Sequence, residues 1–102
     1  MVVRETAQAI IDSDTIASKM ISERVGNIFY RELQRTYRSI SMTPTIGSIV
    51  EKLDGTPYAK IRVCTVRRFR NYVIFYRIEP DVILIERILD GRRNYLELIT
   101  AD

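Results

Sequence analysis

Histidine is absent from all 102 residues, and cysteine occurs once, at Cys64. The first absence removes the commonest general base and metal ligand, and with it the Ser-His and Cys-His nucleophile systems. The second excludes an internal disulfide framework and any multi-cysteine zinc site. Cys64 lies in an apolar, strand-like run, where a thiol behaves as a small hydrophobe. Four scattered glycines, Gly26, Gly47, Gly55 and Gly91, make no phosphate-cradling loop. No spacing of acids resembles a metal site, so neither metal nor cofactor is expected. No apolar run approaches the roughly 20 residues that cross a bilayer. The start, "MVVRETAQAI", lacks the basic residues and apolar core of a signal peptide. The expectation is a cytoplasmic protein with no membrane partner.

What is present fits one globular domain spanning residues 1–102, with 46% hydrophobic and 28% charged residues. The net charge of +3 is small, but its distribution is uneven. Residues 1–50 hold six basic and five acidic groups. Between Gly55 and Ile78 there are six basic residues, Lys60, Arg62, Arg67, Arg68, Arg70 and Arg77, and no acid. A one-sign stretch produces a local positive field even on a nearly neutral protein.

Periodicity gives the order of elements. "VVRET" is a short strand, and Thr6 is placed to N-cap a helix from Ala7 to about Ser22. Its apolar positions are Ile10, Ile16, Ala17, Met20 and Ile21, with Ile11 on the flank. Asp12 and Asp14, two apart, do not face each other on a helix and are expected on the solvated surface. Gly26-Asn27 supplies a helix stop and a new N-cap. A second helix carries the stripe Ile28, Phe29, Leu33, Tyr37 and Ile40, with Arg31, Arg35 and Arg38 along its other side. That row could touch a phosphate backbone, although solvated helix faces carry such rows routinely. Pro44 ends the helix, and "DGTP" at Asp54–Pro57 is a turn.

The period then falls to two. "YAKIRVCTV" alternates, with Tyr58, Lys60, Arg62 and Cys64 on one face. "FRNYVIFYRI" and "VILIERIL" follow as strands joined by a tight connection at Glu79–Asp81. Tyr72 to Tyr76 is the central strand, and its aromatics fit a core at least as well as an RNA-stacking sheet. "DGRRN" is a turn or helix start, and "YLELI" a short amphipathic tail. The sum is an α+β domain, with one antiparallel sheet carrying two helices on a single face.

"VRRFRNYVIFYR" followed by "ILIERILDGRRN" resembles the signature of the ParE branch of the ParE/RelE toxin superfamily. The matching elements are Arg62, Arg67-Arg68, Phe69-Arg70-Asn71-Tyr72, Val73-Ile74 and Phe75-Tyr76-Arg77, then Arg87 to Arg93. Upstream, Pro44-Thr45-Ile46-Gly47 is similar to the Pro-x-x-Gly that closes the second helix in that family. The departures are Asp90 where histidine is frequent, Asn94 where aspartate is frequent, and Lys19-Met20 at a usually aromatic position. The resemblance implies a RelE/ParE-like fold: a short N-terminal strand, a two-helix hairpin and a three-stranded antiparallel meander packed on the helices.

It also implies the toxin of a type II toxin–antitoxin pair, with an acidic cognate antitoxin as partner. Two activities divide the superfamily. The RelE branch cleaves ribosome-bound mRNA with basic side chains on the sheet and a C-terminal tyrosine or histidine. Lys60, Arg62 and Arg93 match three of those basic positions and are the catalytic candidates on that alternative. Val73 stands where the RelE branch has arginine, and Ile99 where it has tyrosine. The ParE branch instead blocks DNA gyrase by protein–protein contact, which implies no catalytic residues, and the partial ribonuclease set favours it here. The candidate target-binding residues are then Arg67, Arg68 and Arg70 at the turn and Arg92, Arg93 and Tyr95 in the C-terminal segment. Lys60, Arg62 and Arg77 are the candidates for antitoxin contact.

Overall fold

The computed structural model describes residues 1–93 and residue 97. Tyr95, Asn94 and Ile99, and with them the "YLELI" tail apart from Glu97, lie outside the described residues. The chain runs β1 (Val2–Glu5), α1 (Ala7–Ser18), α2 (Glu23–Met42), a tight turn at Pro44–Ile46, then β2 (Ser48–Ile49). After a second turn at Glu51–Leu53 come β3 (Arg62–Val66), β4 (Phe69–Ile78) and β5 (Val82–Asp90). Among the described residues no helix is long and apolar enough to cross a membrane.

The sheet is mixed and five-stranded, in the order β1-β5-β4-β3-β2. The expected antiparallel meander is its centre, β3-β4-β5, but both edges differ from the sequence reading. β1 lies parallel to β5, with Val2 opposite Val82 and Glu5 opposite Ile85. β2, antiparallel to β3 through Ser48–Val63 and Ile49–Arg62, is two residues long. A strand that short leaves no alternation to detect. β3 also starts at Arg62, not Tyr58. Ala59 N–H donates to the Thr56 carbonyl and Ile61 N–H to that of Tyr58, so consecutive turns satisfy the backbone that a ladder would have used.

The helix boundaries also differ from those that periodicity predicts. Thr6 caps α1 as expected, its hydroxyl accepting from Ala9 N–H at 3.0 Å. α1 stops at Ser18, and Ser22 is the N-cap of α2, accepting from Val25 N–H at 3.2 Å. Gly26-Asn27 therefore lies inside α2 and stops nothing. Gly26 is there because a Cβ would come within 3.0 Å of the Ala17 carbonyl oxygen, so its lack of a side chain lets the two helices approach closely. The buried face of α1 is Ala9, Asp12 and Ser13, flanked by Ile16, Ala17 and Met20, while Ile10, Ile11 and Ile21 face outward.

Phe29, Leu33, Tyr37 and Ile40 of α2 pack on Val66, Ile74, Tyr76, Ile83, Ile85 and Ile88 of the sheet. Leu53 and Ile61 cover part of the opposite sheet face over Phe75 and Leu89. This explains why β4 is apolar on both faces at its centre. A register shift in β5 pairs Tyr76 with Ile85 but Phe75 with Arg87, leaving Glu86 as the extra residue of a bulge. The bulge moves the helix-facing positions from Ile83 and Ile85 to Ile88.

Candidate functional site

Arg67 and Arg68 form the tip of the β3–β4 hairpin. Arg68 has φ of 67°, the left-handed region that a side chain enters at a cost and that a two-residue turn demands. Phe69 fixes the hairpin to α2 by an edge-on contact with Phe29, ring centroids 5.3 Å apart, and Tyr72 meets the same ring at 5.6 Å. Arg67 N–H donates to the Thr36 hydroxyl, which donates in turn to the Glu32 carbonyl. The arginine tip is thus held against the helix at three points.

Beneath it lies Glu32, fully buried. Its carboxylate accepts from Arg35 at 3.2 Å and faces Arg67 at 3.6 Å and Arg68 at 3.8 Å. One internal anion therefore gathers three arginines whose side chains remain half to two-thirds exposed. The sequence reading missed Glu32. The available signal was its position: with Phe29, Leu33, Thr36, Tyr37 and Ile40 it falls on the buried side of the helix.

The register brings the C-terminal arginines to the same end of the sheet. Tyr72 pairs with Asp90, and Gly91 N–H donates to the Asn71 carbonyl at 2.7 Å. Arg92 folds back on Asp90 through its side chain, at 3.1 and 2.8 Å, and through its N–H. Those bonds hold the Asp90 carboxyl down at about 2. Arg70 and Arg93 are exposed and form no ion pair among the described residues.

Lys60, Arg62 and Arg77 occupy the other end. Arg62, level with Tyr76 on β4, donates to the Gly47 carbonyl at 2.7 Å and reaches that of Thr45 at 3.5 Å. The Tyr76 hydroxyl accepts from Gly47 N–H at 2.8 Å and donates to the Pro44 carbonyl at 2.6 Å. A Cβ at Gly47 would stand 2.6 Å from that hydroxyl, which explains the Pro-x-x-Gly pattern physically. Arg77 is only partly exposed and faces Glu79 and Glu86. Lys60, on a turn, is exposed. Arg62 pairs with Tyr76, whereas Asp90, whose carbonyl accepts from Arg93 N–H, pairs with Tyr72, four residues or about 13 Å along β4.

Asp12 also departs from the expected solvated surface. It accepts two bonds from Arg87, at 2.8 and 3.0 Å, one from Ile88 N–H at 3.0 Å and one from Gln8 at 3.1 Å. Beside it, α1 and β5 border a cleft of about 330 Å³ lined by Ile11, Ile16, Tyr72, Ile88, Leu89 and Arg93 among others. Among the described residues no group of three or more Cys, Asp or Glu could hold a metal ion.

The sequence pattern of the family described as "ParE toxin of type II toxin-antitoxin system, parDE" matches residues 3–95. That places the chain in the class of type II toxins. Within it, the chain belongs to the ParE toxin family. It is also similar to a solved chain described as "Chromosomal ParDE TA system from P. aeruginosa", with a TM-score of 0.68 and 19% identity. The likeness covers 86% of this chain and 92% of that one and, at such identity, concerns the fold. No curated protein matches.

Proposed function

We propose that this toxin inhibits DNA gyrase by protein–protein contact and is neutralised by an acidic cognate antitoxin. The observation that carries the reading is the fate of the ribonuclease candidates. Arg62 is engaged by the Gly47 carbonyl, and Arg93 lies beyond Asp90 at the other end of the sheet. Basic groups that would act together on one phosphodiester must converge on it within hydrogen-bond reach. Val73, in place of a central arginine, packs with Phe75 and Leu89 instead. The target surface is then the end that carries Arg67, Arg68, Arg70 and Arg93, with Arg92 tied to Asp90. The antitoxin fits the cleft between α1 and β5, where Ile11 and Ile16 offer apolar contact and the arginine-rich end steers an acidic chain. Of Lys60, Arg62 and Arg77, Lys60 has the exposure for that steering.

Two assays on the purified protein test the reading: supercoiling by DNA gyrase and cleavage of ribosome-bound mRNA. Inhibition of the first without the second is expected. Cleavage without inhibition replaces this reading with the RelE-like one. Neutralising Arg67, Arg68 and Arg70 together should slow antitoxin association and flatten its salt dependence, and an unchanged rate at low salt contradicts the steering role.

A further inference from the structure

The outer face of α2 carries Arg24, Arg31, Arg35 and Arg38, all exposed. At about 100° per residue these four fall within an arc of roughly 60°, directly opposite the buried stripe, and span about 21 Å of helix. Glu23, the exposed acid of this helix, is turned about 100° away from Arg24. The helix's other acid, Glu32, is buried and paired with Arg35. The line continues past the helix, because Arg67 of the hairpin tip shares a shallow groove with Arg35, Arg38, Ser39 and Met42.

This arrangement opposes the helix's own stability. Arg31–Arg35 and Arg35–Arg38 are like-charge neighbours, each unfavourable by about 0.2–0.5 kcal/mol, and Arg24, Arg31 and Arg38 have no acid three or four residues away. A face kept merely soluble mixes both signs. The face also lacks anchors for a protein partner: its one exposed large apolar side chain is Met42, at the far end, whereas Ile10, Ile11 and Ile21 are exposed on or just after α1. Nor does it expose an aromatic ring on which single-stranded bases would stack. A straight, purely cationic line without apolar or aromatic anchors suits a straight polyanion.

We propose that the outer face of α2, with Arg67, docks on the phosphate backbone of duplex DNA without reading its sequence. Arginines position a protein on phosphates by charge and hydrogen bonds alone. Apart from Arg67, which it shares with the proposed target surface, this face is separate from the cleft assigned to the antitoxin, and its docking on DNA does not depend on gyrase being the target.

The test measures binding of the purified full-length chain to a mixed-sequence duplex by anisotropy, across salt. If the four arginines of α2 and Arg67 each neutralise one phosphate, log K falls against log salt with a slope of about −4.5, a roughly 500-fold loss between about 50 and 200 mM. The triple variant Arg24→Gln, Arg31→Gln, Arg38→Gln leaves the Arg35–Glu32 pair intact and, freed of two like-charge contacts, should melt at or a few degrees above the parent temperature. With Arg35 and Arg67 left, its slope should fall to about −1.8, roughly a 12-fold loss over the same range. Tighter binding to single strands than to duplex overturns the proposal. So does a triple variant that binds duplex normally but associates slowly with the antitoxin, which would assign the face to an acidic protein.

Discussion

Truncating Asp12 to alanine tests the most heavily bonded side chain on the buried face of α1. β1 ends at Glu5, opposite Ile85, so β5 loses its parallel neighbour there. Thr6 N–H bonds the Ile85 carbonyl and the Thr6 hydroxyl that of Glu86. The next donor, Ile88 N–H, is satisfied by Asp12. The carboxylate therefore stands in for a missing strand and holds α1 against β5 through Arg87. Asp12→Ala leaves a buried N–H without its partner, costing ~1–3 kcal/mol. It also removes the bidentate partner of Arg87. Breaking a buried pair costs ~3–5 kcal/mol, discounted here because the Arg87 side chain is 24% exposed. Together about 3 kcal/mol is expected, a drop in melting temperature on the order of 15 °C for a domain of this size.

Asp12→Asn keeps an acceptor for Ile88 N–H and loses the charge, so it should fall between parent and Asp12→Ala. Thermal and urea unfolding at low and at about 1 M salt supply the measurement. Surface pairs are screened at the higher salt, whereas a pair at 8% exposure of the acid is largely protected. A loss below about 1 kcal/mol, or one that disappears in salt, would return Asp12 to the solvated surface that its sequence position suggested.

Gly47→Ala should cost ~1–3 kcal/mol in urea unfolding, since the new methyl overlaps the Tyr76 hydroxyl and the Val63 carbonyl; full stability would contradict the close approach. At Arg68 the left-handed φ predicts that Arg68→Gly stays within about 1 kcal/mol of the parent while Arg68→Val costs ~2 kcal/mol more, and equal values for the two would remove the turn geometry. The Asp90 carboxyl is held below its unfolded value by Arg92, so the pair's contribution is complete above pH of about 4 and is lost as pH falls through about 2. Carbon NMR of the carboxyl should show that low midpoint, and Arg92→Gln should move it up towards the ordinary range. Burial pushes the Cys64 thiol up, so alkylation at neutral pH should be much slower in the folded protein than in urea, and equal rates would refute its packing against the helix-side core.

The elements legible in the sequence were those with sustained periodicity. α2 shows four apolar positions at helical spacing, and β4 and β5 flank a connection that the structure closes with Glu79 N–H on the Val82 carbonyl. Elements fixed by tertiary partners were not legible. β2 exists only beside β3, and the parallel placement of β1 depends on an edge that no local pattern announces. Gly26 read as a stop because glycine permits one, but here its missing side chain serves a helix–helix contact. Of the candidate site, sequence supplied the arginines and not their counter-charges. Asp12 and Glu32 are acids on otherwise buried helix positions, where the polar residue looks like an interruption of the stripe rather than its functional centre.

Those two acids explain how a chain with so many cations keeps a defined surface. Asp12 ties α1 to β5, and Glu32 ties α2 to the β3–β4 hairpin, each by binding arginine from the sheet side. A buried carboxylate without cations is costly, and a cluster of arginines without an anion repels itself. Each solves the other's problem only if helix and hairpin are docked, so the charges favour the assembled fold over partly undocked ones. Glu32 has one oxygen without a hydrogen bond, with Arg67 at 3.6 Å. The hairpin arginines are therefore oriented by the anion but not fully bonded to it. They keep most of their exposure, and an external anion of higher charge can engage them without undoing the core. Glu32→Gln would remove the orienting charge while preserving volume. Loss of stability together with weakened partner binding is expected; loss of stability with unchanged binding would show that the tip acts without its anchor.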